Sequence, residues 1–309
     1  MEIVDFWYRC LFKLRIYQSS GEQFQHLINE LFGLVYPGFQ PIAPWGSNGD
    51  GGNDGWIPTE GHYLQCYGPK AGSNWEPVNA ARKAQQDFKK LLENWSDLRR
   101  YSFVLNDRFE GVPAPVQKVL QMIASDHSIS SDVFSSATLT NLFMELTEDK
   151  KQMIVNGVPS GSDEIVDSRC IGELLQYLAD RDLPPSNRSR RGVTSFEEKI
   201  RFNGLDGEAS DRLRLASHQV GEVDEFLRSR DQWLAQGIAE HLKKTYQQCQ
   251  ACIPEGEDTA NLHYVWLVEE MRPPHIRHPH SIKAYRQAAE IVLAKYFEAC
   301  NVFKSPSGN

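Results

Sequence analysis

The stretch GDGGNDGWIPTEGHYLQCYGPK, residues 49–70, decides the fold. Glycine, asparagine and aspartate crowd residues 49–55. That is the composition of a tight turn, because glycine reaches positive φ at no steric cost and Asn and Asp bond their own backbone. The turn ends on Asp54. Asn53 to Ile57 and His62 to Tyr67 read as two strands of a hairpin joined by Pro58-Thr59-Glu60-Gly61. Along the second strand Tyr63, Gln65 and Tyr67 share one face, Leu64 and Cys66 the other. Gln65, eleven residues after Asp54, then turns toward it from the adjacent strand. Magnesium takes hard oxygen ligands, one or two from protein and the rest from water and phosphate. An Asp carboxylate and a Gln carbonyl at neighbouring strand ends suit that chemistry.

Outward from the hairpin, GEQFQHLINELFGLV (21–35) spaces Phe24, Leu27, Ile28, Leu31 and Phe32 as one helical face. Ser19, Ser20 and Gly21 start that helix and Pro37-Gly38 stops it. Phe39 to Trp45 reads as a strand. Glu76 to Trp95 reads as a helix with Val78, Ala81, Phe88, Leu91, Leu92 and Trp95 as its apolar positions, and Tyr101 to Leu105 as a buried strand. The order helix, three-strand meander, helix, strand predicts a mixed α/β sheet with a parallel crossover. Beyond it, Pro115–Ser125 and Ile165–Arg181 read as helices and 132–157 as helix with loop. LPPSNRSRRG (183–192) is the clearest linker, and the remainder is largely helical. The expected division is 1–125 for the α/β domain, 126–192 for a helical connector and linker, and 193–309 for a helical domain.

Composition sets limits. A chain of 309 residues has room for two domains, and its 40% hydrophobic and 24% charged content is that of a globular protein. A net charge of −8 argues against DNA binding through bulk charge, since phosphate contacts need Lys and Arg. The six cysteines form no disulfide framework, and Cys249 and Cys252 alone have metal-like spacing; they read as reduced thiols. The N-terminal apolar residues are broken by Arg9, Lys13 and Arg15, unlike a signal peptide, and no run is long enough for a membrane span. A cytoplasmic protein is expected.

The order of elements, the G-D-G-G-x-D-G turn and the Gln-bearing strand resemble the Mrr-like branch of the PD-(D/E)XK, restriction-endonuclease-like nucleases, over about residues 20–105. The resemblance implies DNA as substrate and Mg²⁺ as cofactor, with Mn²⁺ as its substitute. It implies Asp54 as the metal-binding Asp, Gln65 at the (D/E) position, and Glu30 as the helix-borne acid, with Glu22 in reserve. The family lysine belongs two residues after Gln65, where this chain has Tyr67. Tyrosine is neutral at pH 7 and cannot supply that charge, so the lysine has migrated or the domain does not cut. Lys70 and Lys83 are the candidates, Lys83 being preferred because its helix packs beside the site in this fold.

FEEKIRFNGL (196–205), LRLASHQVGEVDEFL (213–227) and YFEACNVFKSP (296–306) resemble the C-terminal domain of ABC-three-component defence proteins, the group that includes Lamassu systems. That resemblance implies an antiphage effector with an SMC-like ATPase and a small middle subunit as partners. They would keep the nuclease silent until release lets nuclease domains pair as a homo-oligomer. Leu213, Leu215, Val220, Val223, Phe226 and Leu227 are the apolar positions offered for docking, and the helix holding Val223, Phe226 and Leu227 reads as core or subunit interface. Two other functions stay open: a cleavage-dead DNA-binding or scaffolding subunit, and a stand-alone Mrr-like restriction enzyme.

Duller readings apply elsewhere. GDGGNDG lacks the Gly-Lys-Ser/Thr of a P-loop, and a count from Asp50 puts Gly61 where an EF-hand needs Glu. Asn106-Asp107 reads as a capped turn. His275, His278 and His280 lie among prolines and read as an exposed loop. Arg188, Arg190 and Arg191 read as a solvated linker.

Overall fold

The computed structural model describes residues 3–43, 51–70, 76–159, 166–181, 195–205, 207–230, 232–256, 258–299 and 302–306. The chain divides into two compact units, Phe12–Ile154 and a second made of Met1–Leu11 with Val155–Asn309. The first unit therefore runs past the expected limit at residue 125. The proposed linker, with Arg188, Arg190 and Arg191, lies outside the described residues.

The Phe12–Ile154 unit contains most of α1 (Ile3–Gln18), then α2 (Glu22–Val35), β1 (Gln40–Pro41), β2 (Gly55–Ile57), β3 (His62–Tyr67), α3 (Pro77–Asn94), β4 (Arg100–Leu105), α4 (Ala114–His127), β5 (Ser130–Phe134), α5 (Ser136–Met144) and α6 (Glu148–Val155). The five strands lie in sequence order. β1–β2 and β2–β3 pair antiparallel, whereas β3–β4 and β4–β5 pair parallel. Each parallel step is spanned by a helix, α3 and then α4, as such a connection requires.

Periodicity accounts for the layers. The buried residues of α2 are Phe24, Leu27, Ile28, Leu31 and Phe32, the five its spacing selects. On the other face of the sheet, α3 and α4 cover Tyr63, Tyr101, Phe103 and Leu105 with Ala80, Ala84, Phe88, Leu91, Val116 and Leu120. In α3 the alanines pack beside Phe88 and Leu91, while Val78 and Leu92 stay exposed. β1 is two residues long, shorter than the strand expected from Phe39 onward, and Pro44 and Trp45 lie outside the described residues. β5 corrects the reading of 132–157 as helix with loop. SSDVF carries little hydrophobic alternation; it is a strand because its backbone completes the edge of β4.

The second unit is helical: α7 (Ser168–Ala179), α8 (Phe196–Phe202), α9 (Gly207–Ser217), α10 (Gly221–Arg228), α11 (Gln232–Cys252), α12 (Thr259–Met271) and α13 (Pro279–Ala299). α13 packs against α7, α9 and α12. Inside, Arg212 grips Glu290 in a bidentate pair, Nε to Oε1 at 2.5 Å and Nη2 to Oε2 at 2.6 Å, and the Tyr264 hydroxyl donates to the same carboxylate. Leu213 and Val223 are fully buried core residues of this unit, which removes them from the expected docking surface; Leu215 remains exposed. His275, His278 and His280 are exposed, the last at the start of α13.

Candidate active site

Two glycines bring the site together. Gly52 lies at φ +81, and a Cβ there would sit 2.3 Å from the Asp87 carbonyl oxygen. The turn preceding Asp54 therefore rests directly on α3. A Cβ on Gly68, just past β3, would meet the Phe24 Cβ at 2.8 Å, and the Gly21 amide donates to the Gly68 carbonyl at 2.8 Å. The start of α2 is thereby pinned to the end of β3.

Asp54 sits where these pieces converge, 5% exposed. Its backbone amide bonds the Leu64 carbonyl at 2.9 Å, which fixes the hairpin register. The Gln65 Nε2 donates to Oδ2 at 2.6 Å and the Cys66 amide donates to the same oxygen at 2.7 Å. Gln25 Nε2, from α2, donates to Oδ1 at 2.7 Å. Asp54 and Gln65 are thus in direct contact, as the hairpin reading requires.

The helix residue at Asp54 is Gln25. Glu30, the expected acid, pairs instead with Arg15 at 2.8 Å and with His26 at 3.4 Å, and Glu22 is exposed at the start of α2. Sequence reading looked for an acid on this helix and passed over an amide three residues beyond Glu22. The available signal was position: Gln25 follows Phe24, whose side chain packs under Gly68.

Of the two lysines, Lys83 donates to Asp87 Oδ1 one turn on in α3 at 2.8 Å, and its ammonium forms an ion pair with Oδ2 at 2.6 Å. The Asp87 side chain is 2% exposed and that of Lys83 41%. Lys70 is exposed beyond β3. Tyr67 stacks on Phe103 with centroids 6.0 Å apart and packs against the core. The fully buried Tyr101 hydroxyl donates to the Ala84 carbonyl at 3.2 Å. Burial, and then the charges of Asp87 and Asp54, push its pKa well above 10, so it remains a neutral donor.

A second polar cluster lies on the sheet face opposite α3 and α4. His62 Nε2 and Ser102 Oγ are 2.7 Å apart, Ser102 also bonds Asp132, and Arg100 Nη2 meets Asp132 at 2.5 Å. These residue types suggest a hydrolytic triad, but Ser102 is fully buried and its hydroxyl is spent on Asp132. Burial lowers the His62 pKa to about 4, which keeps it neutral. This cluster staples β3, β4 and β5. Asn106 and Asp107 are also structural: Asn106 Nδ2 donates to the carbonyls of Ile16 and Ser19 at 2.9 and 3.0 Å, and Asp107 accepts from the amides of Ser136 and Gly111. Cys249 is a buried thiol donating to the Tyr246 carbonyl, its pKa raised to about 12 by burial. Among the described residues no group of three or more His, Cys, Asp or Glu side chains could hold a metal, and no helix is long and apolar enough to cross a membrane.

The fold and site define a mixed α/β unit, with a five-stranded sheet and a buried acid–amide cluster, joined to a helical unit. Residues 169–304 match C-terminal domain 10 of the ABC-three component (ABC-3C) systems. The sheet and Asp54 lie outside the match. The chain matches no curated protein and no solved structure.

Proposed function

We propose that this protein is the nuclease-bearing effector of an ABC-3C antiphage system of the Lamassu type, a Mg²⁺-dependent DNA endonuclease with a PD-(D/E)XK fold. One observation carries the reading: a buried Asp54 in contact with Gln65 whose Oε1, also buried, has no hydrogen-bond partner. The amide nitrogen is turned to the carboxylate, so the carbonyl oxygen remains available as a hard ligand. The sheet adds support. Its meander followed by a parallel crossover through α3 is the element order read from the sequence; the second crossover, through α4 to β5, extends it.

Asp54 and Gln65 would hold the metal, with Mn²⁺ able to replace Mg²⁺. The bound ion would supply Lewis-acid activation of a scissile phosphate and of the attacking water. Gln25 and the Cys66 amide orient the Asp54 carboxylate. A single protein carboxylate is a weak site by itself, and Mg²⁺ commonly completes its shell with substrate phosphate and water. The chain therefore binds metal weakly without DNA and more firmly with it. Lys83, held by Asp87 on the helix that abuts the glycine turn, is the preferred source of positive charge, with Lys70 as the alternative. The helical domain docks the ATPase and small partner subunits, and release lets nuclease units pair.

Manganese titration with and without an uncleavable DNA duplex tests the metal assignment. Wild type shows DNA-enhanced binding, and Asp54→Ala and Gln65→Ala lose it while folding normally. The second reading, a cleavage-dead DNA-binding or scaffolding subunit, is favoured by Tyr67, which packs against the core where the family lysine would stand. Metal-independent DNA binding without cleavage is its signature.

A further inference from the structure

The helical unit contains a cleft of about 300 Å³ that the nuclease reading does not use. Its walls are the end of α8, Tyr246 of α11, the first turns of α12 and the tail around Phe303. His263, on the α12 wall, is 4% exposed, and its Nε2 is buried without a hydrogen-bond partner. Burial lowers its pKa to about 4, so at pH 7 the neutral ring has one donor and one acceptor. Native proteins rarely leave such a group unmatched; a bound molecule is one way to satisfy it.

The rest of the cleft is suited to a flat ligand. The Tyr246 ring meets His263 edge-on at 5.4 Å, and Phe202, which also lines the cleft, is 52% exposed. The tail forming the far wall is held in an uncommon backbone state. Phe303 has φ +66, a region that non-glycine residues seldom occupy except where the surroundings enforce it. Asn203 enforces it by donating from Nδ2 to the Lys304 carbonyl and accepting from the Lys304 amide, both at 2.8 Å. The Lys304 ammonium then stands at the mouth, 3.1 Å from Glu255 in an exposed pair that an anion could displace.

We propose that this cleft binds a nucleoside 5′-monophosphate, its base stacking on Phe202 and bonding His263 through an edge atom, its phosphate meeting Lys304. The volume lies at the small end of ligand sites, enough for one nucleotide. Aromatic faces, a neutral edge partner and a cation at the mouth match base, base edge and phosphate in turn. An aromatic side chain from a partner protein would leave Lys304 unused. The nucleotide could be free or be the 5′-phosphorylated end of a strand. The proposal does not depend on the nuclease assignment.

Calorimetric titration of the full chain with the nucleoside 5′-monophosphates tests it. Wild type binds at least one of them saturably, and inorganic phosphate alone does not compete. Ala260→Phe, which fills the cleft from α12, weakens binding at least about tenfold, a loss of about 1.4 kcal/mol. Phe202→Ala removes only an exposed side chain and weakens binding severalfold, so the test stands even if Ala260→Phe misfolds. Competition by a short 5′-phosphorylated oligonucleotide identifies a strand end as the source; lack of competition identifies the free nucleotide. Absence of binding at millimolar nucleotide, or binding unchanged in folded Ala260→Phe and Phe202→Ala, overturns the proposal.

Discussion

Gln25→Glu places a second carboxylate against Asp54 and tests the geometry of the site without recourse to activity. In the native protein Gln25 Nε2 donates to Asp54 Oδ1 at 2.7 Å. The substitution removes a hydrogen bond to a charged group, a loss of about 1.5–3 kcal/mol. Two full charges at that spacing repel by about 6 kcal/mol at an effective dielectric near 20. A shared proton relieves the repulsion, and loading it at pH 7.5 onto a glutamate of ordinary pKa ~4.3 costs about 4 kcal/mol. The cheaper route sets the expected destabilisation, about 4 kcal/mol in chelator. It shrinks as the pH falls toward 4.3, because the raised carboxyl pKa makes the folded variant bind more protons than its unfolded chain. Mg²⁺ should recover the loss, since a site with two carboxylates binds the ion more tightly and binding to the folded state stabilises it. The assay is thermal unfolding in chelator and over a Mg²⁺ series, with Glu30→Gln as control. The control breaks the Arg15 pair and should show no metal dependence of its own. A Gln25→Glu protein as stable as wild type in chelator, or indifferent to Mg²⁺, would refute the placement of Gln25 at a metal-binding Asp54.

Other consequences concern single groups. Arg212→Leu strands the buried Glu290 carboxylate and should cost about 3–5 kcal/mol in urea unfolding, whereas the double variant Arg212→Leu/Glu290→Leu should recover much of it. Asn106→Ala leaves the Ile16 and Ser19 carbonyls without their donor and should destabilise by about 2–4 kcal/mol by the same measurement. The depressed His62 pKa means that the unfolded chain binds a proton before the folded one. Stability should therefore fall as pH drops from 6.5 toward about 4, and His62→Gln should flatten that part of the profile. In cleavage assays Lys83→Ala should lose activity and Lys70→Ala keep most of it; the reverse pattern assigns the charge to Lys70, and loss in neither favours the cleavage-dead reading.

The legible parts of the sequence were those governed by local rules. The apolar face of α2 follows from a 3.6-residue period, and the hairpin from the turn residues between Ile57 and His62. Alternation along β3 brings Gln65 to Asp54, and that contact is present at 2.6 Å. What escaped depended on partners distant in sequence. β5 is a strand because β4 offers it an edge, which Ser130-Ser131-Asp132 does not announce. Gln25 rather than Glu30 reaches Asp54 because the Gly21–Gly68 contact sets the rotation of α2. Leu213 sits in the core, although its helical spacing would serve a docking face equally well, and Val223 takes the core side of its core-or-interface alternative. The cleft beside His263 joins segments from residue 202 to residue 304, and no local pattern encodes it.

The central claim is that Asp54 anchors a metal-dependent cut in DNA. Its most direct test is incubation of supercoiled plasmid with the purified chain, free of partner subunits, in Mg²⁺, in Mn²⁺ and in chelator, beside a folded Asp54→Ala protein. The account predicts nicking or linearisation by wild type with either metal, none in chelator, and none by Asp54→Ala under any condition. Cleavage that persists in Asp54→Ala, or intact plasmid with wild type in both metals, contradicts it.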